Sequence, residues 1–287
     1  MSINPLGLST FVLASPFSDA DADAAFAKVA ALGYDVVEVC VEDPTLLSAG
    51  ALCDAAARTG LAIGICGAFG PDRDLSAEDP GRREAGLAYL RGCVDLAAAV
   101  GSPHVAGPMY APTGQTRLLP PQERARQRDR AAESLRAAAD HAGERGVRLA
   151  IEPLNRFETD LVNTVEQGLE LCAAVGRDNV GLLVDTFHMN IEEKSLAAAV
   201  RLGGEAVFHV QVSENDRGAP GSGHVPWPEF FGSLAEIGYR GQIVVESFLP
   251  TVAEIARAVS LWRPVAPSMD QLAADGIAFL KSSLKSP

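Results

Sequence analysis

Four oxygen-bearing side chains stand at corresponding places in four apolar segments of the sequence. The segments RLAIEPLNRFE, VGLLVDTFHMN, FHVQVSEN and QIVVESF each contain a short apolar run that is typical of a buried strand. The polar residues at or near the ends of these runs are Glu152, Asp185, Gln211 and Glu246. Each follows the previous one by about one strand and one helix, so a parallel sheet would bring all four side chains to the same edge.

This set of residues is suited to binding a hard divalent cation. Its ligands would all be oxygens, without cysteine or histidine, which suits Mn²⁺ or Mg²⁺ better than Zn²⁺. Three clustered carboxylates in a buried site would otherwise repel one another strongly. Charged residues at strand ends can also cap loops or pair with arginine, and that alternative is open for each position taken alone.

Gln211 belongs to the alternating stretch HVQVS, in which His209, Gln211 and Ser213 share one face of a strand. An amide oxygen can bind a metal without adding charge, while the amide NH₂ can donate to a neighbouring carboxylate or to a substrate. His209 is the competing ligand, but it would lie roughly 6–7 Å farther back along the strand at about 3.3 Å per residue. We therefore predict that Gln211 is the ligand on this strand.

The elements that must position these residues are marked by glycines. A glycine repeatedly ends a helical pattern just before a short apolar strand, as in ALGYDVVEV, RTGLAIGI, ERGVRLAIE and EIGYRGQIVV. With a first strand near residues 6–13, the pattern predicts strand starts near residues 6, 35, 61, 104, 147, 180, 206 and 242. Eight strand–helix units predict a (β/α)8 barrel that spans residues 1–287 as a single domain. A doubly wound open sheet is the alternative, but no GxGxxG follows the first strand.

Local signals predict further details of this barrel. Ser18 is the predicted N-cap of the first helix, and Pro120 and Pro121 are predicted to begin a long charged helix. The glycine-rich segment GAPGSG, residues 218–223, is predicted to be an active-site loop, with a phosphate cradle as the alternative. Trp227 and Trp262 are predicted to pack against the helices of the barrel.

Composition and charge exclude several classes of partner. The chain has 287 residues, 47% of them apolar, and its formal net charge of −13 disfavours binding to a nucleic-acid backbone. The five cysteines are scattered without a CxxC pair, which argues against a disulfide framework and a structural zinc site. Neither a leader pattern nor a membrane-length apolar run is present, so we predict a cytoplasmic protein without membrane contact.

Several motifs together resemble a known enzyme family. The segments EPLNRFE, DTFHMNIEE, ENDRG followed by GHVPW, and EIGYRGQIVVESF resemble the D-tagatose 3-epimerase family of ketose 3-epimerases, which includes the D-allulose 3-epimerases and has a xylose-isomerase-like barrel. The likeness runs over most of the chain and is densest between about residues 145 and 250. It implies an isomerase that acts on a small-molecule sugar and assembles as a homodimer or homotetramer.

The resemblance also implies roles for particular residues. It implies a bound Mn²⁺, with Mg²⁺ or Co²⁺ as alternatives, and carries over glutamate, aspartate and glutamate ligands onto Glu152, Asp185 and Glu246. The family has histidine where this chain has Gln211, and a glutamine there is similar to the HxQ pattern of hydroxypyruvate isomerases. The residues implied to bind the substrate are Glu158, His188 and Arg217 at the C1 and C2 oxygens, with Cys66 and Gly107 lining the pocket beyond.

The expected reaction is epimerisation at C3 of a free ketose through a cis-enediolate. A proton must leave C3 and return to its opposite face, so Glu152 and Glu246 are predicted to be the paired acid/base residues. An aldose/ketose or hydroxypyruvate-type isomerase and a lyase acting on 3-keto sugars would use the same metal site. A zinc-dependent endonuclease is disfavoured by the acidic charge and the five histidines, and a sugar-binding protein would not need the glutamate pair.

Overall fold

A closed barrel of parallel strands forms the centre of the molecule. The structure is a computed structural model that describes residues 4–252, 256–257 and 259–284. Neighbouring strands pair in sequence order, and β8 returns to β1 through the register Leu6↔Ile243. The strands are β1 (Leu6–Ser9), β2 (Val36–Val41), β3 (Ala62–Gly67), β4 (His104–Gly107), β5 (Arg148–Ile151), β6 (Val180–Asp185), β7 (Val207–Val212) and β8 (Ile243–Val245). The predicted (β/α)8 barrel is confirmed.

Helices connect the strands and cover the outside of the barrel. They are α1 (Asp19–Leu32), α2 (Ala49–Thr59), α3 (Pro80–Val100), α4 (Pro121–Gly143), α5 (Val165–Val175), α6 (Thr186–Glu192), α7 (Leu196–Gly203), α8 (Trp227–Glu236) and α9 (Met269–Ser283). Apolar residues of the helices and of the outward strand faces form one continuous core between the two layers. This packing fixes where the strand ends lie.

The helix boundaries follow the signals in the sequence. Ser18 and Asp21 form a capping box at the start of α1, and Pro120 precedes the first turn of α4. Gly33 ends α1 with φ 85°, a left-handed conformation that L side chains rarely adopt. The chain can therefore turn directly from this helix into the next strand.

Two local predictions are wrong. The first strand ends at Ser9, well before residue 13, because the Ser9 hydroxyl accepts a hydrogen bond from the Phe11 backbone and begins a short 3₁₀ turn. Trp227 is buried against Phe231 and Phe279, but Trp262 is 74% exposed and does not pack into the helical layer as predicted.

The strand register brings polar residues to the carboxyl-terminal mouth of the barrel. Asp185 on β6 pairs with Gln211 on β7, and Gln211 pairs with Val244 on β8, two residues before Glu246. All five cysteines are free thiols. Within the described ranges, no helix is both long and apolar enough to cross a membrane.

Candidate active site

A cavity of about 230 Å³ opens at the carboxyl-terminal mouth of the barrel. Its wall combines aromatic rings with ionisable groups, among them Phe11, Phe69, Phe248, Glu152, Glu158, His188, Arg217 and Glu246. Larger cavities lie elsewhere, including two of about 620 Å³, one beside Trp227 and Phe279 and one beside Arg82 and Arg130. The larger cavities contain none of the predicted site residues, so the smaller cavity is the candidate active site.

Three carboxylates cluster at the floor of this cavity: Glu152 and Glu246 line it, and Asp185 contacts the lining residue Arg217. Glu152 directly follows β5, Asp185 ends β6 and Glu246 directly follows β8, and each is at most 5% exposed. Glu152, Asp185 and His188 present ligand atoms within 4.8 Å of one another. Glu246 joins this group through Arg217, which contacts both Glu246 and Asp185. The barrel thus gathers carboxylates that are distant in the sequence.

Arg217 supplies the positive charge of the site. Its Nη1 atom lies 2.7 Å from Oδ2 of Asp185 and 3.0 Å from Oε2 of Glu246. The guanidinium packs 4.1 Å from the ring centroid of Phe187, and the backbone adopts a left-handed φ of 67°. A non-glycine residue in this conformation needs support from its surroundings, and the Ser247 hydroxyl donates to its carbonyl at 2.7 Å.

The pKa values of the three carboxylates are shifted in different directions by this environment. Burial, together with repulsion from Glu246 and Asp185, raises the pKa of Glu152 well above its ordinary value. Burial also raises the pKa of Glu246, although Arg217 opposes the effect. Burial acts in the same direction on Asp185, but Arg217 and His188 outweigh it and the pKa of Asp185 is lowered. One arginine does not neutralise three carboxylates, so the site favours an additional cation.

Gln211 does not line the cavity, but its amide carries an oxygen without a hydrogen-bond partner in the described part of the chain. Gln211 is fully buried, and its Nε2 atom donates to Oε1 of Glu38 at 2.6 Å. Because a carboxylate only accepts, this contact orients the amide nitrogen toward Glu38. The Oε1 atom of Gln211 has no hydrogen-bond partner among the described residues. A buried carbonyl oxygen without a partner, on the residue that pairs in register with Asp185, is a ligand type that fits a hard divalent cation.

His188 is held between hydrogen-bond donors. The backbone N–H of Asn155 donates to its Nδ1 at 3.0 Å, and burial lowers the pKa of the ring. Its Nε2 lies 2.9 Å from Nη2 of Arg217, which can only donate, and 3.4 Å from Oε1 of Glu152. Asn155 also donates from Nδ2 to Oε1 of Glu158 at 2.8 Å, so it positions both residues. These contacts fix the His188 ring at the cavity wall.

Cys66 and Gly107 occupy different places. Cys66 lines the cavity. Its hydrogen bond with Cys40, together with burial, raises the pKa of the Cys66 thiol and keeps the thiol uncharged. Gly107 does not line the cavity, whose wall is formed there by the next residue, Pro108. Gly107 itself has φ 127°, and a Cβ atom there would lie 2.7 Å from the carbonyl oxygen of Gly67. It allows the ends of β3 and β4 to approach closely.

Comparisons with known proteins place the chain in a family. A family model described as a xylose isomerase-like TIM barrel matches residues 26–283. A probable ketose 3-epimerase from Synechocystis is 32% identical over 277 residues, which cover 96% of each chain. A D-psicose 3-epimerase from Agrobacterium fabrum is 33% identical and covers 88% of this chain and 90% of its own length. The chain belongs to the ketose 3-epimerase family of xylose isomerase-like TIM barrels.

The solved structures of this ketose 3-epimerase family agree with the fold described above. A D-allulose 3-epimerase from Methylomonas sp. in complex with D-allulose superposes with a TM-score of 0.92 at 29% sequence identity. The match covers 99% of this chain and 98% of the other. The resemblance seen in the sequence motifs, and the prediction of an isomerase of the carbohydrate epimerase type, are confirmed.

One buried carboxylate near the mouth of the barrel was not predicted from the sequence. Glu214 is fully buried, and its carboxylate accepts hydrogen bonds from the Gly221 and Val225 backbones at 2.8 and 2.7 Å and from Nε1 of Trp227 at 3.0 Å. These bonds hold the segment 218–223. The described residues of that segment do not line the cavity, and Gly221 packs against Phe279, so the prediction of an active-site loop is wrong there.

Proposed function

We propose that the protein is a metal-dependent ketose 3-epimerase that inverts C3 of a free ketose. The observation that carries the proposal is the pair of buried glutamates, Glu152 and Glu246, on the wall of one cavity, with the unpartnered oxygen of Gln211 on the adjoining strand β7. Nearly full-length relatives named as ketose, D-psicose and L-ribulose 3-epimerases support the same reaction.

The glutamate pair has the chemistry that epimerisation requires. The C3 proton of a ketose is acidic because it lies next to the C2 carbonyl, and inversion needs one group to remove it and another to return a proton to the opposite face. Glu152 and Glu246 are contributed by β5 and β8, on different sides of the cavity floor. In one direction one glutamate acts as base and the other as acid, and the roles exchange for the epimer.

Four residues would hold the metal: Glu152, Asp185, Gln211 and Glu246. When bound, a divalent ion, with Mn²⁺ as the first choice and Mg²⁺ or Co²⁺ as alternatives, would neutralise the carboxylates and polarise the ketose carbonyl. Glu38 contributes by orienting the Gln211 amide through the hydrogen bond from Nε2. The Gln211 oxygen then takes the place that a histidine has in the family pattern.

The sugar oxygens would be held by Glu158, His188 and Arg217. Nη2 of Arg217 donates to Nε2 of His188 at 2.9 Å, and both side chains line the cavity. The Arg217 guanidinium would stabilise the negative charge that develops on the C2 oxygen when the C3 proton leaves. Glu158, which lines the same cavity, would accept from the C1 hydroxyl.

The proposal also covers the cellular location, the domain organisation and the assembly of the enzyme. We place the protein in the cytoplasm as a single domain over residues 1–287 that assembles as a homodimer or homotetramer. Light scattering coupled to size-exclusion chromatography measures the assembly directly. A monomeric mass at micromolar concentration would contradict this part of the proposal without affecting the proposed reaction.

The reaction is tested by identifying products. Protein stripped of metal and reloaded with Mn²⁺ is incubated with a panel of ketohexoses, ketopentoses and small keto acids, and the products are separated by chromatography. We expect a C3 epimer from at least one ketose, and none from the stripped protein. An aldose or tartronate semialdehyde as the main product would indicate an isomerase instead, as the HxQ pattern around Gln211 allows.

A further inference from the structure

A second polar cluster lies inside the barrel, apart from the carboxylates of the cavity floor. Glu38 on β2, His104 on β4 and His209 on β7 are each at most 1% exposed. Each offers one ligand atom, and these atoms lie within 4.8 Å of one another. The ring centroids of the two histidines are 4.3 Å apart. Three strands that are not sequence neighbours thus direct metal-binding side chains toward one point.

The polar atoms of this cluster lack partners. Among the described residues, no hydrogen bond reaches Oε2 of Glu38 or either ring nitrogen of His104 and His209. Nε2 of His209 approaches Oε2 of Glu38 to 2.5 Å, but the two atoms are not aligned as hydrogen-bond donor and acceptor. Buried polar atoms without partners are rare in folded proteins and indicate an ion or a water that completes them.

The charge of Glu38 also indicates a bound cation. No Lys or Arg in the described part of the chain forms an ion pair with Glu38, and its single side-chain hydrogen bond comes from the neutral amide of Gln211. The nearest described group that can carry positive charge is the His209 ring, whose Nε2 lies 2.5 Å from Oε2 without hydrogen-bond alignment. A buried carboxylate is strongly unfavourable unless its charge is neutralised. A divalent cation between Glu38 and the two imidazoles would supply the missing charge and satisfy the unpartnered atoms together.

We propose that Glu38, His104 and His209 bind a second divalent cation of the Zn²⁺ class. Two imidazole nitrogens and one carboxylate oxygen form a donor set that zinc prefers, unlike the oxygen ligands of the cavity floor. The three ligand atoms lie within 4.8 Å of one another, a bound close to twice a zinc–ligand bond of roughly 2.0–2.2 Å, so small side-chain rotations would bring all three atoms to bonding distance.

The inner ion has a structural consequence for the cavity above it. Oε1 of Glu38 accepts the Nε2 hydrogen of Gln211, while Oε2 faces the two histidines. An ion held on Oε2 fixes the Glu38 carboxylate, and the fixed carboxylate in turn fixes which end of the Gln211 amide faces the cavity floor. The inner site would therefore act as a positioning site, and its existence does not depend on the reaction that the cavity performs.

Zinc content and ligand identity test the proposal. Because the cluster is buried, the protein is purified from cells grown in zinc-supplemented medium, so that the ion enters during folding. Elemental analysis is expected to give at least one zinc ion per chain, and zinc K-edge X-ray absorption is expected to show imidazole scattering. His104→Ala should bind one zinc ion fewer than the wild type and lose the imidazole signal, whereas His141→Ala, which removes a histidine on α4 that contacts Asp95, should match the wild type.

A further variant separates the two sites. Asp185→Asn weakens the cavity-floor site, and it should keep the imidazole-bound zinc. Absence of bound zinc in the wild type, or absorption without imidazole scattering, overturns the proposal, and neither result needs a variant that folds. Imidazole-bound zinc in a protein that has no epimerase activity when Mn²⁺ is also supplied would contradict the proposed function while supporting the inner site.

Discussion

Glu152 and Glu246 are the residues on which the proposed chemistry depends, and each can be replaced by its neutral isostere. Glu152→Gln and Glu246→Gln are each expected to lower epimerisation by about 10²–10⁴-fold, because one face of C3 loses its acid/base group. The rate is measured by epimer formation, with circular dichroism as the control for folding. In D₂O each variant should exchange the C3 proton of at most one epimer. A single variant with wild-type activity would contradict the two-base scheme.

Substitution of Gln211 tests whether this residue is a ligand of the cavity-floor metal. Gln211→His is expected to keep the cavity-floor metal, because an imidazole nitrogen replaces the amide oxygen, and to shift the ratio of Mn²⁺ and Co²⁺ affinities toward Co²⁺. Isothermal titration calorimetry on metal-free protein measures both affinities. Gln211→Leu is the matched control and should weaken binding of both ions. Complete loss of metal binding in Gln211→His would count against Gln211 as a ligand.

The sequence predicted some of the site residues better than others for a physical reason. Glu152, Asp185 and Glu246 could be found because each is a carboxylate at the end of a strand, and the barrel topology alone brings such ends together. Glu38 lies within the buried strand VVEVCV, and its partner Gln211 lies on β7, 173 residues later in the chain. Such a pairing depends on side-chain directions that periodicity does not specify.

At the scale of elements, the approach of β3 and β4 depends on a glycine. Gly107→Ala is expected to destabilise the fold by about 1–3 kcal/mol, because φ 127° is unfavourable for alanine and the new Cβ would lie 2.7 Å from the Gly67 oxygen. Gly232→Ala is the matched control on α8, where nothing lies within 4 Å of the added Cβ, and it should be stabilising by about 0.5–1 kcal/mol. Chemical denaturation measures both changes. Equal stability of the two variants would contradict the close approach.

The element boundaries were predictable wherever local chemistry fixed them. Gly33 and Ser18 bound α1 through conformations and hydrogen bonds that their own side chains determine. The segment 218–223 was misassigned because its glycines predict a loop but do not predict which residues the loop packs against. Its position is set by Glu214 and by the packing of Gly221 on Phe279, both of which are tertiary contacts.

At the scale of the whole molecule, the buried carboxylates link stability to pH. In the metal-free protein the pKa values of Glu152 and Glu246 are raised, so their stabilising contribution is present at low pH and is lost as pH rises through the folded-state pKa values. Relative to the Glu152→Gln/Glu246→Gln double variant, metal-free wild type should lose unfolding free energy as pH rises above the ordinary glutamate pKa of about 4.3.

Metal should reverse this trend. Mn²⁺ stabilises the ionised carboxylates, so the metal-loaded wild type is expected to gain stability over the same rise in pH. Urea denaturation at a series of pH values, with and without Mn²⁺, measures both trends. A difference between wild type and the double variant that does not change with pH in the metal-free state would contradict the raised pKa values.

The most direct test of the central claim is proton NMR in D₂O with Mn²⁺-loaded protein and a ketose that it accepts. The proposed C3 epimerisation predicts loss of the C3 proton signal as the epimer appears, while the C1 protons are retained. Exchange at C1 with an intact C3 signal, accompanied by an aldose, would contradict the assignment of Glu152 and Glu246 as the pair that inverts C3.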